Sequence, residues 1–508
     1  ILVKIIEKGE IHLKEIHYNS TRGLNGNYTA SQAILKGISE DGGLFVPDSI
    51  PSVNEEELQK FKNMTYKELA LCIIGKFFTD FTEDELKKCI DLAYDNKFES
   101  DEIVPVKKVG DVFYLELFHG PTLAFKDMAL CLLPHLMQTA AKKQNLHKKI
   151  VILTATSGDT GKAALEGFAD VENTRIVVFF PEKGVSDIQK RQMVTQVGKN
   201  TKVIGIKGNF DDAQTEVKKI FNDEELKKEL DEKSYMFSSA NSINIGRLIP
   251  QVVYYFHGYM ELLRKGQIEL GEKINFVVPT GNFGNILAAY YAKKMGLPIN
   301  KLLCASNDNK VLYDFLKSGI YDAEREFIVT ISPSMDILIS SNLERFIYDI
   351  SGKNSSVVQG LMKDLNKNRK YSVSENMKEE LKPFYGGFAT EGETLHSISD
   401  VFKSYHYLMD THTSVAYSVY RKYLQDTGDD TKTIIVSTAS PFKFTKSVMS
   451  ALDDKYKNQK DFDLIEVMSK TSSLEVPKPI EKLMKSKVIH STVCEKQQMK
   501  DEIKKFLL

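Results

Sequence analysis

No apolar run in this 508-residue chain is long enough to span a bilayer, so no transmembrane helix is expected. Charge of neither sign is in excess. The 68 Lys and Arg against 69 Asp and Glu leave a net charge of −1, which speaks against a nucleic-acid surface or an anionic-membrane binder. Cysteine is scarce. Cys72, Cys89, Cys131, Cys304 and Cys494 are scattered without a CxxC pair, which argues against a zinc ribbon or a disulfide scaffold and suits a reducing cytoplasm. The ten histidines show no HExxH or similar spacing, so no metal is signalled. The opening stretch ILVKIIEKGEIHLKEI has no apolar core after a basic start and no small-residue cleavage site, so a secretory leader is not expected. There is no low-complexity tract and no internal repeat.

Against these absences stands an ordinary globular composition, 42% hydrophobic and 27% charged. Its length leaves room for about two to four domains. Residues 1–100 read as a mainly helical N-terminal unit, with acidic first turns at Glu55–Glu57 and Glu83–Glu85. From about Pro105 the texture changes to strands alternating with helices. Lys149–Thr156, Arg175–Phe180, Lys202–Ile206, Ile274–Pro279, Leu302–Ala305 and Thr433–Val436 are apolar, β-branched runs, most of them followed by a helical pattern. Such alternation predicts an α/β fold with mostly parallel sheets covered on both faces, and ligands outside the carboxyl ends of the strands. Residues 101–320 form the expected core. Residues 321–405 break the alternation as a charged helical insertion with PFYGGF as a turn, and 406–508 complete the core and continue mostly as helices.

One stretch organises the rest: LELFHGPTLAFKDMAL, residues 115–130. A short strand ends in the breaker turn His119-Gly120-Pro121-Thr122, and Lys126 then falls in the first turn of a helix. A helix N-terminus and the apolar neighbours Leu123, Ala124 and Phe125 both disfavour an ammonium, which lowers the amine's pKa. A neutral amine is what covalent chemistry on a carbonyl requires.

Three loops at strand carboxyl ends accompany it. Thr156-Ser157-Gly158-Asp159-Thr160-Gly161-Lys162 fails as a P-loop, because only two residues separate its glycines and Ala163 follows the lysine. It still offers hydroxyls and free N–H groups at a helix start. Gly281-Asn282-Phe283-Gly284-Asn285 lacks dinucleotide spacing but suits a phosphate, since two glycines allow close backbone approach. Ser437-Thr438-Ala439-Ser440-Pro441 follows the last strand, and Thr438 can make one neutral hydrogen bond to a ring nitrogen. Asn241–Arg247 (NSINIGR) starts a further helix.

Together, YNSTRG, DGGLFVP, ELFHGPTLAFKD, TATSGDTGKAAL, NSINIGR, PTGNFGN, DTHTSVAY and STASPFKF resemble the threonine synthase family, within the tryptophan-synthase-β-like class of pyridoxal-phosphate enzymes. The resemblance implies the type II fold of that class, two open twisted sheets flanked by helices. It implies that Lys126 carries pyridoxal 5'-phosphate as a Schiff base, that Gly281, Asn282, Phe283, Gly284 and Asn285 hold its phosphate, and that Thr438 faces its pyridine nitrogen. Ser157, Gly158, Asp159 and Thr160 would lie against the substrate's amino-acid end, with Asn241 and Arg247 also on the substrate. Arg247, Lys183 and Lys443 are the candidates for a second anion cradle. The implied activity is that of a carbon–oxygen lyase acting on phosphates, which converts O-phospho-L-homoserine and water to L-threonine and phosphate. This chain departs from the family pattern at Ser440, often histidine, and at Thr411, often proline. A dehydratase or phospho-lyase on the same scaffold, and a catalytically silent relative, are the alternatives. No helical seam decides between monomer and dimer.

Overall fold

The computed structural model describes residues 15–508 except 25, 157, 183 and 184. Most of the opening stretch, and with it the expectation about a leader, lies outside the described residues. So do Ser157 and Lys183.

Fifteen strands are described: β1 (Tyr18–Ser20), β2 (Phe45–Pro47), β3 (Val106–Val109), β4 (Val112–Glu116), β5 (Lys149–Ala155), β6 (Thr174–Pro181), β7 (Thr201–Lys207), β8 (Tyr235–Ser238), β9 (Ile274–Pro279), β10 (Ile299–Ser306), β11 (Ile320–Asp322), β12 (Lys370–Ser372), β13 (Phe384–Phe388), β14 (Thr433–Ser437) and β15 (Val493–Glu495). They form two principal sheets. One has six strands in the order β13-β10-β9-β14-β4-β3, parallel except where β3 and β4 make a hairpin. The other has five strands in the order β15-β7-β6-β5-β8, all parallel. Every residue of β4, β9 and β14 is buried, as expected for parallel strands covered on both faces.

The helix Ile245–Arg264 is buried along all but its last residue and lies between the six-stranded sheet and the N-terminal helices. Helix Tyr66–Phe77 packs on it, and helix Ala30–Lys36 packs on Leu133–Lys143. One apolar core therefore runs without a break from Ile16 to Val436. Capping boxes start several of the N-terminal helices, such as Thr82 with Glu85 and Thr65 with Glu68.

One expectation is corrected. PFYGGF is not a turn: Phe384–Phe388 is the edge strand β13, parallel to β10. Its glycines mask the strand pattern because neighbours pack directly on the backbone. A Cβ on Gly387 would lie 2.5 Å from the Val419 side chain. The C-terminal region is mostly helical, as expected, and adds one short strand, β15, which closes one edge of the five-stranded sheet against β7.

Candidate active site

The carboxyl ends of β4, β5, β9 and β14 open on one cavity of about 820 Å³ between the two sheets. Lys126, Asp159, Thr160, Asn241, Arg247, Gly281–Asn285 and Thr438 all line it. Gly158 lies just behind its wall, at the entry to helix Asp159–Phe168.

After β4 the chain turns sharply, with Leu123 in the left-handed region at φ 60°. Asp127 braces the turn by accepting hydrogen bonds from the Thr122 amide at 2.8 Å and its hydroxyl at 2.6 Å. Burial raises the Asp127 carboxyl to about 6. The Phe125 amide donates to the Thr438 carbonyl at 2.8 Å and ties the lysine turn to the loop after β14. Lys126 then caps a helix of only four residues, Asp127–Leu130. Its Nζ sits 4.7 Å over the Phe125 ring, 3.3 Å from Ser334 Oγ and 3.7 Å from Asp159 Oδ2. Burial lowers the Lys126 amine to about 8, against the pull of Asp159 and with help from Lys443 and Arg247. Desolvation is therefore the dominant cause, rather than the short helix's dipole.

Asp159 faces the lysine from the next loop. Gly158, at φ 144°, opens the helix, and Thr156 Oγ1 accepts from the amides of Gly158 at 3.0 Å and Gly161 at 2.9 Å. Burial works against ionisation of Asp159, but Lys443 and Lys126 overcome it and hold the carboxyl below its ordinary range. Lys443 Nζ lies 2.9 Å from Asp159 Oδ1, and Gln189 Nε2 donates to the same oxygen at 2.8 Å. Lys443 also donates to the Thr122 carbonyl at 2.8 Å. Its ammonium is thus fully engaged away from the cavity wall, and Lys443 drops out as a candidate for a second anion.

The glycine turn after β9 is a cradle. A Cβ on Gly281 would lie 2.4 Å from the Ser334 carbonyl oxygen, so only glycine fits. The Asn342 amide and Nδ2 both donate to the Asn282 carbonyl, at 3.1 and 3.0 Å, and Ser340 Oγ donates to the Gly281 carbonyl at 2.8 Å. The carbonyls are held outward and Phe283, at φ 61°, enters helix Gly284–Met295. Tyr254 and Tyr255 hydroxyls donate to Asn285 Oδ1, while Asn285 Nδ2 is buried without a partner. Arg247 is similar: Nη1 donates to the Ala240 carbonyl at 2.9 Å, Nε has no partner, and burial pushes the guanidinium down to about 10. Both residues line the cavity, where an anion or another acceptor would satisfy them. The turn, its free N–H groups and Asn285 Nδ2 fit the phosphate of pyridoxal phosphate, and Lys126 fits its aldehyde.

Ser334 and His412 also line the cavity; Ser334 does not stand out in the sequence, and His412 lies in the DTHTSVAY stretch with no role read for it there. A Pro-Ser turn reads as loop chemistry, and its contacts come from residues far away in the chain. Among the described residues no group of His, Cys, Asp and Glu could hold a metal ion, and no helix is long and apolar enough to cross a membrane.

Three family models match the chain: "Threonine synthase N terminus" over residues 17–94, "Pyridoxal-phosphate dependent enzyme" over 101–360 and "Threonine synthase, C-terminal" over 413–505. The chain is 41% identical over 441 residues to "Threonine synthase-like 1" of Homo sapiens, covering 84% of this chain but only 58% of that protein's length. It is 35% identical to the threonine synthase of Schizosaccharomyces pombe, covering 86% of this chain and 90% of that one. Among solved structures, the PLP-bound threonine synthase of Brucella melitensis superposes with a TM-score of 0.85 at 35% identity, covering 97% and 99% of the two chains. Yeast threonine synthase does so at 0.87 and 32%, covering 98% and 99%. The chain therefore belongs to the threonine synthase family of pyridoxal-phosphate enzymes.

Proposed function

We propose that this chain converts O-phospho-L-homoserine and water to L-threonine and phosphate. One observation carries the reading: a buried amine of lowered pKa shares its cavity with two separate unsatisfied donors, Asn285 Nδ2 and Arg247 Nε. Two anions would satisfy them, and a phosphorylated cofactor with a phosphorylated substrate supplies two.

In this reading the glycine turn and Asn285 anchor the cofactor, while Arg247 with Asn241 binds the substrate phosphate and orients it as a leaving group. When bound, pyridoxal phosphate withdraws electrons from the substrate carbons next to the nitrogen. Lys126, once free, removes the proton at Cα and returns protons as the carbon skeleton is rebuilt. Asp159, Gly158 and Thr160 lie at the substrate's amino-acid end. Asp159 is an anion, so it suits the ammonium side of that end and not the carboxylate. Thr438 offers the pyridine nitrogen a neutral hydroxyl, which leaves that nitrogen largely unprotonated and limits racemisation. The five cysteines, all buried and unpaired, suit action in the cytoplasm.

A second reading is favoured by the higher identity to the threonine synthase-like relative, 41% against 35%. It is a phospho-lyase that eliminates phosphate without adding water, or a silent relative. Product analysis separates them. Threonine with stoichiometric phosphate supports the synthase. 2-Oxobutyrate with ammonia and no threonine supports the lyase. A colourless protein that cannot be loaded with cofactor supports the silent reading.

A further inference from the structure

Ser334 sits on a one-turn helix, Pro333–Met335, that nothing in the reading above employs. Yet the fold holds this turn from several sides. Its carbonyl presses on Gly281, where any side chain would collide. Asn307 Nδ2 donates to Ser332 Oγ at 3.1 Å and to Asp336 Oδ1 at 2.7 Å, and the Thr330 amide donates to Asp336 Oδ2 at 3.0 Å. Thr411, where the family often has proline, donates its hydroxyl to the Ile331 carbonyl at 2.8 Å.

The last clamp is a histidine. The Ser334 amide donates to His412 Nε2 at 3.2 Å. An amide N–H can only donate, so Nε2 must be unprotonated and the ring proton sits on Nδ1. There it donates to the buried Asp410 at 2.7 Å. Asp410 is itself fixed at the start of helix Thr411–Thr427, accepting from the His412 amide at 2.9 Å and the Thr413 amide at 3.1 Å.

All this fixes one hydroxyl in one place. Ser334 Oγ accepts from Lys126 Nζ at 3.3 Å and donates to Asp159 Oδ2 at 3.3 Å, while lysine and carboxylate stay 3.7 Å apart. We propose that Ser334 is a further catalytic residue, whose hydroxyl bonds both members of the Lys126–Asp159 pair, shares the amine with the carboxylate and keeps the pair from tightening, and that His412 with Asp410 is the positioning pair that holds it there. A carboxylate stabilises an ammonium more than a neutral hydroxyl does, because opposite charges attract as well as hydrogen-bond. Without the hydroxyl, the ammonium loses a neutral partner and closes from 3.7 Å onto Asp159, so the free amine becomes scarcer. The inference rests on Lys126 being the reacting amine. The other charged or titratable groups around it are Lys443 beside Asp159, Arg247 on helix Ile245–Arg264, and His412 and Asp336 on either side of the turn.

The test is the pH profile of Lys126 reactivity in the full chain stripped of cofactor. Fluorodinitrobenzene arylates only the neutral amine, which displaces fluoride and loses a proton to solvent, and the labelled peptide is quantified by mass spectrometry. Ser334→Ala is expected to move the midpoint up by about one pH unit, which lowers labelling near neutrality about tenfold. His412→Ala, which leaves the hydroxyl in place but unclamped, is expected to move it the same way, and Ser334→Thr to return it to the native position. A midpoint in folded Ser334→Ala that is unchanged or lower overturns the proposal and leaves the role of Lys126 intact. If Ser334→Ala does not fold, an unmoved midpoint in His412→Ala overturns it. A native profile in which the label falls on another lysine overturns the reading of Lys126 instead.

Discussion

Lys443 and Asp159 form an ion pair 2.9 Å long in which the lysine side chain is fully buried and the aspartate side chain 3% exposed. The pair joins the loop after β14 to the loop after β5, so it fastens the two sheets together at the floor of the cavity. It also keeps a carboxylate charged beside Lys126.

Lys443→Met should therefore destabilise the protein strongly, by about 3–5 kcal/mol, because it leaves Asp159 with a weaker set of partners in the interior. Denaturant unfolding measures this. The folded Asp159 titrates below its ordinary range, so its contribution is present above about pH 4, the unfolded value, and is lost as the pH falls further. The mutant should lose that acid-side dependence in part.

The free amine of Lys126 should appear as the pH rises through about 8 in the cofactor-free chain. The sign for stability is the reverse of an ordinary ion pair. A lysine whose folded pKa lies below its unfolded one weakens the fold at neutral pH, and that penalty is relieved as the pH climbs from about 8 to about 10.5. Lys126→Met should abolish activity and the visible absorbance, yet stabilise the cofactor-free protein by ~0.5–2 kcal/mol, as removal of a strained functional group often does. Thermal unfolding of both proteins without cofactor checks it. A less stable Lys126→Met protein would contradict the burial argument.

Gly281→Ala should weaken cofactor binding tenfold or more, since its Cβ would stand 2.4 Å from the Ser334 carbonyl and push the turn or the cradle aside. A tenfold loss corresponds to about 1.4 kcal/mol, a modest share of such a clash. Spectroscopic titration of the stripped protein with pyridoxal phosphate gives the value.

Arg247→Met should raise KM for O-phosphohomoserine at least tenfold while leaving cofactor affinity within a few-fold. Its Nε lacks a partner, and the proposed function assigns it an anion other than the one assigned to Asn285. Removing a charge-assisted hydrogen bond of this kind costs about 1.5–3 kcal/mol of binding. Equal losses for substrate and cofactor would assign Arg247 to the cofactor phosphate.

What is legible in the sequence is whatever follows an apolar strand directly. Lys126, the glycine turn, Asp159 and Thr438 each fall in a loop at a strand's carboxyl end, and parallel sheets bring those ends together. The lowered pKa of Lys126 is legible in direction. Of its two expected causes, desolvation is the one that dominates, while the helix N-terminus has only a single turn behind it. The ion pair of Asp159 with Lys443, 284 residues later, is not legible in the sequence. Ser334 is silent in sequence because its partners stand at 126, 159 and 412. β13 hides because glycine, which lets helix Thr411–Thr427 lie close, also erases the alternation that marks a strand.

The insertion of β14 between β9 and β4 sets an order of events during synthesis. Lys126 and the glycine turn have long left the ribosome before Thr433–Ser437 arrives to join their strands and deliver Thr438. Until then the nascent polypeptide has a slot in its larger sheet and an incomplete socket for the vitamin. Such distant pairing is slow, so refolding yield should rise when pyridoxal phosphate is supplied to capture the finished sheet. On that order, loading of the cofactor is expected as a closing step of biogenesis rather than a nucleus for it.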